Sequence, residues 1–189
     1  MYSSPECLLK MPGKRSFQAA ALTLFLCATS YAQLPQVDER PAQHALKRFM
    51  QLCVSGLADR KKVEEVAPQL GFQRLQAQAA AGFVGNADAS VWVEQNEFGQ
   101  FAIGAAEGGI CSVFMRRAHV ASLTSAFKTW LPPRESEFEA EPLPVFYNRN
   151  QTTLSYGIKR KGEPFAVWSL TTTPLENTVY QGVISMRKL

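Results

Sequence analysis

The sequence predicts an α+β fold: an antiparallel sheet of about six strands with helices packed on one face, after a cleaved signal peptide. Three observations carry this. Apolar residues recur at helical spacing over residues 42–57, and alternating β-branched and aromatic runs fill 91–117 and again 153–187. Gly and Pro separate these runs, which leaves groups of strands divided by helices. Such grouping points to an antiparallel sheet with helices packed against it.

At the N-terminus, Lys14-Arg15 precede an apolar run over 17–27, and Ser30-Tyr31-Ala32 place small residues at −3 and −1. That is the layout of a secretory leader cleaved between Ala32 and Gln33, so residues 1–32 are read as signal peptide and 33–189 as one domain. The apolar run is about half of the roughly 20 residues a spanning helix needs. Membrane contact is therefore expected only transiently, through the leader, and the location is expected to be periplasmic or secreted. Cys27 follows Leu26 rather than the small residue that usually precedes a lipidated cysteine. Cleavage removes three of 20 basic and one of 16 acidic side chains, leaving net +2. Lys159-Arg160-Lys161 is a short basic cluster without a stripe or clustered aromatics around it, so no nucleic-acid partner is expected.

The chain then reads in order. Leu46, Phe49, Met50, Cys53 and Leu57 follow a helical stripe, with Gly56 weakening the last turn. Asp59 is a candidate N-cap for a second helix with Val63, Val66, Ala67 and Leu70 inward; Pro68 and Gly71 end it. Residues 73–81 read as a short helical turn and 82–89 as loop. Val91-Trp92-Val93-Glu94 and Phe101-Ala102-Ile103-Gly104 form a hairpin around a connection at 95–100, and a third strand runs over 110–115. A third helix is expected over 118–131, ended by Pro132-Pro133. Residues 134–144, with four glutamates between prolines, read as a mobile loop. Strands follow over 153–160, 163–172 and 179–187 as a meander, with a shorter one at Val145-Phe146-Tyr147.

Cys53 and Cys111 survive cleavage, and an even pair in an exported chain reads as a disulfide. Two separate buried thiols are the alternative.

Catalytic chemistry finds little footing. His44 and His119 lack the spacing of a metal pair and read as exposed or capping residues, so no metal or other cofactor is expected. Ser125 and Lys128 match S-x-x-K without the partner motifs that give it meaning, and read as solvent-facing. Glu94, Glu97 and Glu107 cluster around the hairpin in sequence, and Trp92 offers a sugar-stacking surface. Neither a phosphate-binding loop nor a dinucleotide fingerprint is present.

The leader, Phe49-x-x-x-Cys53, Gly71-Phe72 and Gly109-Ile110-Cys111-Ser112-Val113 together make the region 42–131 similar to uncharacterised small exported proteins of Gram-negative bacteria. The resemblance implies the disulfide and the periplasmic setting, and no activity.

The expected function is that of a noncatalytic exported domain binding a partner protein or envelope component. The candidate contact residues are Trp92 and Phe98 on the hairpin and Glu135, Glu137, Glu139 and Glu141 on the acidic loop. The alternative is a small envelope hydrolase acting on peptidoglycan or polysaccharide through Glu94 or Glu107.

Overall fold

The first helix, α1 (Arg40–Phe49), starts with Pro41 in its first turn, where the missing N–H costs nothing. It buries Ala42, Ala45, Leu46 and Phe49. The chain is described here from a computed structural model covering residues 38–85, 87–133, 136–148, 150–174 and 178–189. The expected signal peptide and Glu135 lie outside the described residues.

After Phe49 the helix widens into a π turn, Met50–Val54. Ser55 N–H reaches Met50 O at 3.0 Å and Ala58 N–H reaches Cys53 O at 2.7 Å, each five residues back. Beyond the π turn the chain leaves the helix, with Leu57 at φ 55° and Ala58 at φ 54°. Leu52 and Cys53 are buried, while Leu57, expected inside, is 38 % exposed and Ala58 takes the interior place. Gly56 does more than weaken the turn: a Cβ there would lie 2.6 Å from Leu52 O.

Helix α2 (Arg60–Gln69) is capped as expected, Asp59 Oδ1 accepting from Lys61 N–H at 2.8 Å and from Lys62 N–H at 3.4 Å. It ends with Gly71 at φ 87°. There Phe72 N–H bonds Ala67 O and Gly71 N–H bonds Pro68 O, which satisfies the last carbonyls and buries Phe72.

Among the described residues nine strands follow, all antiparallel: β1 (Gln73–Arg74), β2 (Ala89–Asn96), β3 (Gly99–Ala106), β4 (Ile110–Met115), β5 (Phe138–Pro142), β6 (Phe146–Asn148), β7 (Gln151–Arg160), β8 (Glu163–Thr172) and β9 (Gly182–Lys188). Their order is β1-β2-β3-β4-β9-β8-β7-β5, and β6 also pairs with β7. The sheet is thus larger than the six strands expected. The additions β1 and β5 are short pieces at its margins, and β6 is the shorter strand expected at Val145-Phe146-Tyr147.

Two segments differ in kind from expectation. Residues 73–81 do not form one helical turn: β1 pairs with β2, and helix α3 (Ala77–Val84) extends into the start of the presumed 82–89 loop. An alanine-rich run favours helix, and α3 covers apolar Val91 and Ala102 of the sheet. The acidic 134–144 segment is also ordered in part, because β5 pairs with β7 from Phe138↔Arg160 to Pro142↔Tyr156. Phe138 and Ala140 pack on the core, while Glu137 meets Arg160 and Glu141 meets Lys159. Opposite charges across a strand pair favour that register.

Helix α4 (Val120–Thr129) is close to its expected span. It joins α1, the π turn and α2 over the inner face of the sheet, where Trp92, Ile103, Cys111, Val113, Met115, Trp168, Leu170, Ile184 and Met186 are buried. Because successive strand residues point to opposite faces, Val91 and Ala102 belong to the other face. There Ala80, Phe83 and Val84 of α3 cover them, so the helices do not all share one side. The Cys53–Cys111 disulfide ties the π turn to β4 across a separation of 58 residues, with Cα atoms 5.3 Å apart. In the chain-entropy model, closing such a loop stabilises by roughly 4 kcal/mol.

Candidate functional site

The residues nominated from sequence scatter. Trp92 is 2 % exposed and packs inside, where no partner reaches it. Phe98 is half-buried, with its ring 4.9 Å from the His44 ring. Glu139 is exposed, while Glu137 and Glu141 are held by basic residues of β7. These residues do not converge on one surface.

Glu94 is the most constrained of the carboxylates. Lying on β2 with Trp92 and Asn96 on the same face, it points under α1. Arg48 grips it in a fork, Nη2 to Oε1 at 2.6 Å and Nε to Oε2 at 3.1 Å, and Arg48 Nη1 also donates to Gln51 Oε1 at 3.1 Å. His44 Nε2 lies 3.0 Å from Glu94 Oε2 and 3.2 Å from Asn96 Nδ2. As Asn96 Oδ1 accepts from Phe98 N–H, its amide offers His44 only donors. His44 Nε2 can therefore donate to Glu94 or accept from Asn96, but not both. The Phe98 and Phe101 rings flank the imidazole. Burial raises the Glu94 carboxyl, but the hydrogen bonds from Arg48 and His44 outweigh it and hold the group below its ordinary range.

His44 is thus neither exposed nor capping, which corrects the sequence reading. A polar pair at i, i+4, His44 and Arg48, beside an apolar stripe was the one signal available; its partner lies 50 residues away. His119 does cap, accepting from Ser122 N–H at 3.4 Å. Ser125 and Lys128 face solvent on α4.

Glu94 and Glu107 do not form an acid–base pair. Glu107 N–H bonds Asp88 O, and Glu94 lies six residue steps along the chain from Asp88, about 20 Å in a strand. Glycosidase carboxylates stand roughly 5–10 Å apart. Glu107 instead approaches Arg60, which also meets Asp88 and Glu64.

The outer face holds a groove of about 760 Å³ over β2 and β3. Val93 and Ala102, paired across the strands, form its floor. Phe83 of α3 and Tyr180, with ring centroids 4.9 Å apart, line one wall, and both rings pack on Phe114. Gln95, Gln100 and Arg116 supply its polar part. Sequence reading missed this groove because its wall comes from segments about 100 residues apart. No family model matches the chain, nor does any curated protein or solved structure.

The disulfide is compatible with an oxidising compartment. Among the described residues no helix is long and apolar enough to cross a membrane.

Proposed function

We propose that this protein is an exported, noncatalytic module that binds a partner protein or an envelope component through the β5–β6 edge of its sheet. One observation carries the reading. Leu143, Val145, Phe146 and Tyr147 crowd into five residues of that edge, and Phe146 and Tyr147 are 63 % and 73 % exposed. Exposed aromatic side chains in contiguous apolar groups mark interaction surfaces. Pro142 and Pro144 interrupt the same edge, and proline withholds the N–H that an added strand would use. The edge is thus guarded against strand addition while its side chains stay on display. Glu139 adds an exposed charge beside them. The hydrolase alternative lacks comparable support, since Glu94 is committed to Arg48 and stands far from Glu107.

The test is a pull-down from envelope extract with the oxidised chain starting at Gln33, run beside a Phe146→Ser/Tyr147→Ser variant. The expected result is one component retained by the unaltered chain through a salt wash and reduced at least about tenfold with the variant. Equal retention by both, or by neither, overturns the edge as the binding surface. Matching thermal midpoints for the two proteins establish that only the surface was changed.

A further inference from the structure

The outer-face groove combines an apolar floor, an aromatic wall and a cation. Arg116 follows β4 and is fixed twice by Gln100: its backbone N–H donates to Gln100 O at 3.2 Å, and its Nη1 donates to Gln100 Oε1 at 2.7 Å. A guanidinium carries five N–H donors, so that bond leaves others for a second partner. Among the described residues no carboxylate lies within ion-pair distance of Arg116. Glu94 borders the groove, but its carboxylate turns to the inner face and is taken by Arg48. Among the described residues the cation is exposed, oriented and uncompensated within the groove.

The aromatic wall of Phe83 and Tyr180 lines the same groove as Arg116. Burial raises the Tyr180 phenol, and the charge of Arg116 acts against that rise, which places the two in one electrostatic neighbourhood. Val93 and Ala102 offer no polar side-chain atom to a ligand. Polar side chains of Gln73, Gln95, Gln100, Thr178 and Tyr180 also line the groove, and Arg116 is its one cation among the described residues. A volume of about 760 Å³ falls within the span of small-molecule sites, on the order of 300–1,000 Å³.

We infer that this groove is a binding site for a small amphipathic carboxylate, its apolar body lying on Val93 and Ala102 against Phe83 and Tyr180 and its carboxylate on Arg116. An arginine fork matches a carboxylate with two parallel hydrogen bonds, which a lysine at the same place would not reproduce. This goes beyond the partner-binding edge: the groove lies over β2 and β3, the edge is β5–β6, and neither depends on the other.

The experiment follows backbone amide shifts of the oxidised chain from Gln33 during titration with decanoate and with 1-naphthylacetate. Decan-1-ol serves as the uncharged comparison. Saturable shifts at Val93, Ala102, Arg116 and Tyr180 are expected for at least one carboxylate, with decan-1-ol about tenfold weaker or more. Arg116→Gln is expected to weaken the carboxylate by about tenfold and to erase its advantage over the alcohol. Phe83→Ala is expected to weaken both kinds of probe. The proposal is overturned if neither carboxylate saturates, if the shifts fall elsewhere, or if Arg116→Gln binds as well as the unaltered chain. Arg116 is exposed, and an unchanged spectrum away from the groove shows that the variant has folded.

Discussion

The two faces of the sheet divide the molecule's work. The inner face carries large side chains, with Trp92, Trp168, Met115 and Met186 under Phe49, Leu52 and Phe127, and the disulfide runs through it. Across β4, β9, β8 and β7 the outer face instead carries a row of half-buried serines. Ser112 and Ser185 are hydrogen-bonded at 2.8 Å and Ser155 and Ser169 at 3.0 Å, and the neighbouring Thr153 and Thr171 pair at 2.9 Å. No described helix covers this row. Small residues that bond each other leave that face smooth and contribute little burial, so the inner face carries most of the stability. The two proposed binding regions both belong to the less committed side: the groove lies on the outer face and the β5–β6 edge lies at the sheet's margin.

The sharpest way to break this contrast is at the disulfide. Replacing Cys53 and Cys111 together with alanine is expected to cost roughly 4 kcal/mol in urea unfolding, because the unfolded chain loses its cross-link. A loss near zero would mean that the inner face does not depend on its covalent tie.

Glu94→Gln comes next, with an expected loss of about 3 kcal/mol, because Arg48 would keep a charge beneath α1 without its counter-ion. The same residue has a pH signature. Since folding lowers the Glu94 pKa, its contribution is complete above the unfolded value, near 4.3, and is lost as pH falls through the lower folded value. Acid unfolding of the unaltered chain should therefore be steeper below about pH 4 than that of Glu94→Gln. Parallel curves would show that the fork contributes nothing.

The smallest effect is expected on the outer face. Ser169→Ala removes one half-exposed hydrogen bond to Ser155 and should cost about 0.5–1 kcal/mol. A loss of several kcal/mol would erase the distinction between the faces.

What was legible in the sequence was what repeats locally. The α1 stripe, the Asp59 cap, the β2–β3 hairpin and the β7–β8–β9 meander all announce themselves at period 3.6 or 2, or by a capping residue. The short strand at β6 was also visible, in Val145-Phe146-Tyr147, whereas β1 and β5 show no period and exist because a neighbour accepts them. The order in β5 depends on Lys159 and Arg160, which lie about 20 residues on. The helix does not reach Leu57: Leu57 and Ala58 lie in left-handed backbone beyond the π turn, and Ala58 rather than Leu57 is in the interior. Of the candidate sites, Glu94 was visible as a residue, but its commitment to His44 and Arg48 was not. The groove was invisible, since Phe83 and Tyr180 meet only after the sheet forms.

The position of β9 decides whether the sheet is whole. It occupies residues 182–188, yet it lies between β4 and β8 near the middle of the sheet, where Val113 pairs with Ile184 and Ile184 with Leu170. A chain ending at residue 181 has β1–β4 on one side and β5–β8 on the other, with no strand in common. Truncating the final seven-residue strand therefore divides the sheet rather than trimming it.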